Sequence, residues 1–251
     1  MPDSRITLLQ SGGQDLSDDE ITELYAVRDR STPWLRVNFI ASIDGAATSD
    51  GLSEGLGTPA DRRVFDILRR LCDVVVVGAG TVRAEGYGPM RLDPPAVAWR
   101  ADHSLPEHPV FAIVSAGLDL DPASPIFADA PVRPIVVTVT DAPADRMAAL
   151  ARVADVLIAG ESTVDTATMR SLLADRDLRQ IHCEGGPRLF TDLIRDDAVD
   201  EVCLTVGPTL EGPGGRRIVD GDPSGVRRRM DVAHVLNGDG TLLLRYVRQS
   251  V

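Results

Sequence analysis

The chain has 251 residues, with 38 acids against 26 bases and a formal net charge of −12. Hydrophobic residues make up 43% and charged residues 25%, a globular mixture that excludes a disordered, collagenous or coiled-coil main state. All 26 bases are arginine, which excludes Schiff-base lysine chemistry and a Walker-type phosphate loop. An acidic surface disfavours nucleic acid and anionic membranes as partners and favours a small molecule held in a local basic pocket. The purest apolar run, Val74-Val75-Val76-Val77, is far short of the roughly 20 residues that span a bilayer. Met1 to Asp15 lacks the basic-then-apolar opening of a secretory signal. Cys72, Cys183 and Cys203 are too scattered for a disulfide framework or a CxxC metal site. A cytoplasmic protein is expected.

In chain order, residues 1–32 read as a polar, acidic N-terminal arm, and 33–251 as one domain. The arm holds one amphipathic stretch, Asp18 to Arg28, opened by a Ser17/Glu20 capping box. Leu35 to Ala41 alternates and predicts a strand. Thr58 to Leu71 predicts a helix, with a Thr-Pro start and apolar Val64, Ile67, Leu68 and Leu71. Asp73 to Gly78 predicts a strand buried on both faces. Gly80 to Glu85 starts a short helix, and Gly86 to Pro109 reads as a long loop. Strands are predicted at Val110–Ser115, Pro134–Val139, Asp155–Ala159, Arg179–Cys183 and Val199–Val206. Between them lie predicted helices at Pro143–Val153, Val164–Asp175 and Gly186–Asp196, and Glu211–Gly215 reads as a turn-rich loop. Asp231–Leu236 and Leu242–Val247 flank Asn237-Gly238-Asp239-Gly240, a hairpin signal. Repeated strand–helix alternation that ends in a hairpin predicts an α/β fold with a mixed, mostly parallel sheet, helices on both faces, and a C-terminal antiparallel hairpin.

Two glycine turns carry candidate chemistry. Gly78-Ala79-Gly80-Thr81 follows a buried strand; it fits a backbone cradle for a pyrophosphate or a plain tight turn. It is no full Rossmann fingerprint, because Arg83 stands at the third glycine position. Glu184-Gly185-Gly186-Pro187 also follows a strand and opens a helix, at the sheet edge where α/β ligands collect. Asp44, in Ser42-Ile43-Asp44-Gly45, is either a turn acceptor or an acid catalyst. His103, His108, His182 and His234 show no metal-ligand spacing, so no metal is expected.

Taken in order, several segments resemble the C-terminal reductase domain of the bifunctional riboflavin-biosynthesis deaminase/reductase. They are Asn38 to Gly45, Val77 to Glu85, Cys183 to Pro187, Asp200-Glu201 and Gly207-Pro208. The resemblance spans roughly Trp34 to Arg248; the deaminase half, with its HxE and PCxxC zinc motifs, has no counterpart here. It implies a dihydrofolate reductase-like fold and NADPH-dependent reduction of a phosphoribosylamino-pyrimidine, ribosyl to ribityl, by a homodimer. It implies cofactor contacts at Ala41, Gly55, Thr81, Glu85, Ser115, Gly186, Pro187, Arg188 and Leu189, to which the two glycine turns add Gly78, Gly80 and Gly185. It implies substrate contacts at Ser53, Arg69, Arg91 and Glu184. The candidate catalytic residues are Asn38, Asp44 and Glu184. The sequence departs from the family pattern twice. Asn38 stands where the family carries lysine, and Ala116-Gly117 follow Ser115 where a base could meet a 2′-phosphate. The alternative functions are a dihydropterin reductase and a nucleotide-binding protein that kept the fold without turnover.

Overall fold

The computed structural model describes residues 13, 15–221 and 227–249. The first element, α1 (Asp18–Tyr25), starts at the expected capping box. Ser17 Oγ accepts from the Glu20 amide while the Glu20 carboxylate accepts from the Ser17 amide. It ends at Tyr25, short of the predicted Arg28. Then follow β1 (Trp34–Ala41), α2 (Pro59–Leu71), β2 (Val74–Gly78), α3 (Ala79–Ala84) and α4 (Pro94–Asp102). The middle of the chain forms β3 (Val110–Val114), α5 (Pro125–Ala128), β4 (Ile135–Thr138), α6 (Ala144–Leu150), β5 (Asp155–Ile158) and α7 (Thr166–Ala174). The last elements are β6 (Gln180–Cys183), α8 (Pro187–Arg195), β7 (Glu201–Val206), β8 (Met230–Gly238) and β9 (Thr241–Arg248).

The nine strands form one sheet in the order β5-β4-β3-β2-β6-β1-β7-β9-β8. Every pairing from β5 to β7 is parallel, and β9 and β8 are antiparallel. The mixed sheet read from the sequence is therefore the sheet that forms. The reason is visible in β2. Val74 and Val76 sit in one apolar cluster with Leu189, Phe190 and Leu193 of α8, and Val75 and Val77 sit in another with Val82 of α3. All four valines have no exposure, so helices must cover both faces.

A third cluster joins α1 to α2, as Ile21 and Tyr25 pack with Val64, Ile67, Leu68 and Leu71 and with Cys203 and Leu243 of the sheet. The segment ahead of β1 is thus part of the packing, and Arg63 adds a 2.5 Å ion pair to Asp18. Beneath it lies Glu201, fully buried. It accepts from Arg36 Nε at 2.6 Å, Arg245 Nε at 2.9 Å and Trp34 Nε1 at 2.8 Å, tying β1, β7 and β9 together. Burial opposes its charge, but Arg36 foremost and the Arg245 hydrogen bond outweigh that and hold the carboxyl at about 2. Cys72, Cys183 and Cys203 are free and buried, one in each cluster, and burial pushes the Cys72 and Cys183 thiols up to about 12.

Two sequence expectations are corrected. The stretch from Gly86 to Pro109 is not all loop, because it contains α4. Asp93 caps that helix, accepting from the Ala96 amide at 2.9 Å, and Pro94-Pro95 fill its first turn. Its anchor is polar: buried Arg100 donates to the carbonyls of Arg70, Cys72 and Pro106. The hairpin turn uses only the second pair, Asp239-Gly240, at φ 54° and 76°; Asn237 and Gly238 belong to β8.

Candidate active site

The parallel register sets the carboxyl ends of β1, β2 and β6 side by side, since Cys183 pairs with both Val37 and Val76. The Glu184 amide then donates to Val76 O at 3.0 Å, and the Gly78 amide donates to Gly185 O at 2.8 Å. The two glycine turns are thereby locked against each other. Gly186 needs its missing side chain here, because a Cβ would fall 2.3 Å from Thr81 Oγ1. The Gly185–Gly186 peptide is cis.

A cleft of about 1540 Å³ runs along this edge. Single-ligand pockets are commonly about 300–1,000 Å³, so this one has room for two ligands side by side. Of the expected cofactor contacts, Gly78, Gly80, Thr81, Glu85, Ser115, Gly186, Pro187, Arg188 and Leu189 line it. Gly186 offers no side chain to cap α8, so the first-turn amides of that helix are left for an anion. Ser53, Arg69, Asn38 and Glu184 line the other part of the same cleft.

Five expected positions lie off the cleft wall. Ala41 is buried, and its carbonyl accepts the Gly207 amide at 2.8 Å as the last rung between β1 and β7. Gly55 is turned into its own loop, where a Cβ would lie 2.9 Å from Ser49 Cβ; its neighbours Ser53, Glu54 and Gly57 line the cleft instead. Gly185 closes the turn from behind, at φ 98° and against the Phe39 ring. Arg91 points outward to Asp129 O at 3.1 Å, because its neighbours Met90 and Leu92 take the inward face. Asp44 is exposed and clamps a loop, accepting from Ser42 Oγ at 2.5 Å and from the amides of Glu211 and Gly212 at 3.2 and 2.8 Å. The Ser42 hydroxyl foremost, then those amides, hold its carboxyl at about 2, so it has no proton to give at neutral pH.

Glu184 is the electrostatic centre of the cleft. Its carboxylate is bidentate with Arg69 at 2.6 and 2.7 Å, and the Tyr87 hydroxyl donates to it at 2.9 Å. Burial works against its charge, but Arg69 outweighs burial and keeps the carboxyl below its usual range. Burial first, then Glu184, pushes the Tyr87 phenol well up, so it keeps its proton. His182, 3.5 Å from Glu184 and fully enclosed, is driven down to about 4 by burial and stays neutral. Phe65 lies under the Arg69 guanidinium, 4.3 Å from carbon to ring centre. The pair Arg69–Glu184 is therefore neutral overall, rigid and rich in fixed donors and acceptors. Sequence reading missed Tyr87 and Phe65. Tyr87 stands between Gly86 and Gly88 in the supposed loop and stacks on Phe111 of the core, and Phe65 lies off the apolar stripe of α2, so neither carried a sequence signal for the site.

Among the described residues no group of His, Cys, Asp and Glu is placed to hold a metal ion, and no helix is long and apolar enough to cross a membrane.

The RibD C-terminal domain family matches residues 33–244. The 2,5-diamino-6-ribosylamino-4(3H)-pyrimidinone 5′-phosphate reductase of Methanothermobacter thermautotrophicus is 32% identical over 193 residues, 76% of this chain and 85% of that protein. The enzyme of the same name from Archaeoglobus fulgidus is 26% identical over 181 residues, covering 72% and 82%. The crystal structure of a pyrimidine reductase-like protein from Corynebacterium diphtheriae superposes with a TM-score of 0.81 at 27% identity, over 92% of this chain and 99% of that one.

Proposed function

The chain belongs to the RibD C-terminal domain family, and from that premise we propose that it is an NADPH-dependent reductase of a phosphorylated ribosylamino-pyrimidine in riboflavin biosynthesis. The observation that carries the reading is the single cleft joining the Gly78 and Gly186 turns to the Arg69–Glu184 pair. Two relatives that the chain covers over most of their length bear the name of a pyrimidine 5′-phosphate reductase.

The residues present fit a dinucleotide. The uncapped amides at the start of α8 suit its diphosphate, with Thr81, Glu85 and Ser115 along the same wall. When bound, a reduced nicotinamide would supply the hydride to the ribosyl C1′ as the C1′–O4′ bond opens, with a proton from solvent going to O4′, to give the CH₂ and hydroxyl of an open ribityl chain. The protein's part is binding, orientation and exclusion of water. Glu184, kept ionised by Arg69, accepts hydrogen bonds from the amino and ring N–H groups of a pyrimidine. Arg69 is held flat between that carboxylate and Phe65, so it loses little freedom on meeting the substrate. The protonated Tyr87 hydroxyl fixes the Glu184 orientation. Asn38 presents a neutral donor and acceptor on the β1 wall and cannot act as an acid. Positioning of this kind carries a large share of the rate when no covalent step is needed.

The reading carries with it a cytoplasmic location, where free NADPH and phosphorylated intermediates occur, and a homodimer. For the dimer the support is one face of the C-terminal strands. Val202–Tyr246–Val232 and Leu204–Leu244–Val235 form cross-strand apolar rows on β7, β9 and β8. Those residues are half-buried, and Val232 is 55% exposed, although the same face of the sheet further along is covered by α8.

The test is NADPH oxidation followed at 340 nm with the 5′-phosphorylated ribosylamino-pyrimidine, its 2,5-diamino form and 7,8-dihydropterin as separate substrates. The expected result is turnover of a phosphorylated pyrimidine and none of the pterin. NADPH binding without turnover of either pyrimidine overturns the proposal in favour of a non-catalytic nucleotide-binding protein.

A further inference from the structure

We propose that Arg216 and Arg217, on a loop tethered by Asp44, bind a phosphate group of the ligand in the cleft. The inference rests on the reading above, in which both ligands are phosphorylated. The two arginines expected to contact substrate are otherwise placed. Arg69 has two of its N–H groups on Glu184, and Arg91 faces away from the cleft. Of the other arginines on the cleft wall, Arg62 is 3.9 Å from Glu54, Arg83 is 3.8 Å from Asp119 and Arg188 is 3.8 Å from Asp220. Arg216 and Arg217 line the cleft and are exposed, and among the described residues neither has an ion pair. In a chain of net charge −12, two adjacent cations with no ion pair among the described residues, on the wall of the main cleft, are a local exception.

The loop that carries them is built to a fixed position. At one end the Ile43 amide donates to Thr209 O at 2.9 Å, and the Asp44 carboxylate holds the Glu211 and Gly212 amides. The Ala47 amide donates to Arg216 O at 2.6 Å, which fixes the backbone of the first arginine itself. Gly215 passes so close to Ala46 that a Cβ would lie 2.4 Å from the alanine Cβ. At the other end Ile218 and Val219 pack on the core, and the Asp220 amide meets Pro187 O and Thr191 Oγ1 at the start of α8. The two guanidinium groups thus project from a strap anchored on both sides, between the end of β1 and the N-terminus of α8. This explains why Asp44 is kept ionised while making no contact with the cleft: it is a positioning residue for the strap. A guanidinium fork matches two phosphate oxygens at once, which suits a phosphate monoester or a diphosphate over a carboxylate-free sugar.

The shared chemistry is a phosphate group, from the sugar of the substrate or from the dinucleotide. Isothermal titration of the full chain with ribose 5-phosphate and, separately, with NADPH distinguishes them. In R216Q/R217Q at least one of the two dissociation constants is expected to rise tenfold or more, with the thermal melting curve unchanged. A rise confined to ribose 5-phosphate assigns the strap to the substrate, and a rise confined to NADPH assigns it to the cofactor. Unchanged affinity for both in a folded variant overturns the inference; the single variants R216Q and R217Q serve if the double one melts early. If the wild-type protein oxidises no NADPH with any pyrimidine, yet ribose 5-phosphate binding still depends on these arginines, the functional reading fails and the anion site stands.

Discussion

Asn38 and Gly186 both line the cleft and make opposite demands on it. At Asn38 the resemblance implies a lysine, whose ammonium would add a charge-assisted donor to the cleft that holds the Arg69–Glu184 pair. Lost donors in desolvated sites cost on the order of 10²-fold in rate. Asn38→Lys is accordingly expected to raise kcat/KM on the phosphorylated pyrimidine, and steady-state kinetics showing no gain would remove the argument from this position. At Gly186 the demand is for empty space, since a side chain would meet Thr81 Oγ1. Gly186→Val is expected to weaken NADPH binding at least tenfold, about 1.4 kcal/mol, read by fluorescence titration. Strand-end residues such as Glu184, Gly186 and Thr81 were legible in the sequence because the strand pattern fixes where a strand stops. Arg91 and Asp44 were not. Which way a loop side chain turns depends on its neighbours' burial, Met90 and Leu92 in one case, and on a partner loop 167 residues away in the other.

Among the elements, β1, β7 and β9 share one buried carboxylate. Glu201 holds Arg36, Arg245 and Trp34 and, having no exposed surface, has no water as an alternative partner. Removing one partner of a buried ion pair costs about 3–5 kcal/mol, because the other charge stays behind uncompensated. Glu201→Gln is expected to lower the urea unfolding free energy by that order. The same residue sets an acid limit. Its folded value of about 2 lies below the ordinary 4.5, so unfolding takes up a proton as the solution becomes acidic. The stability it contributes is complete above about pH 5 and is lost as pH falls toward 2. Glu201→Gln should therefore show a shallower loss of stability over that window than the wild type. Elements with an apolar period, such as α2 and β2, were read from sequence within a residue or two. The helix α4 was not, since it is held by Arg100 donating to three backbone carbonyls, and hydrophobic periodicity carries no trace of such an anchor.

At the scale of the whole molecule, the sheet is covered unevenly. Helices lie on both faces from β5 to β1, while the β7–β9–β8 end leaves the rows of Val202, Leu204, Leu244 and Tyr246 only half-buried. In a homodimer those rows face their two-fold copy. Light scattering at micromolar concentration is expected to give twice the 26.9 kDa chain mass, and Leu244→Glu to return it to one. A wild-type mass of one chain would overturn the dimer. The uneven cover follows from chain order. Among the described residues, the crossover helices lie between the parallel strands, whereas β8 and β9 are joined by a tight turn that supplies none.

Because the three free thiols fall one to each apolar cluster, the protein carries its own set of unfolding reporters. Alkylation requires an exposed thiolate, and buried thiols with raised values react only when their surroundings open. Pulsed labelling with iodoacetamide in low urea, followed by peptide mass spectrometry, would time each cluster separately without any substitution. Cys183, in the central strand between β1 and β2, is expected to label last and only with global unfolding. Cys203, beneath the eight-residue α1, should label first, marking the detachment of that helix as the molecule's earliest step of disassembly.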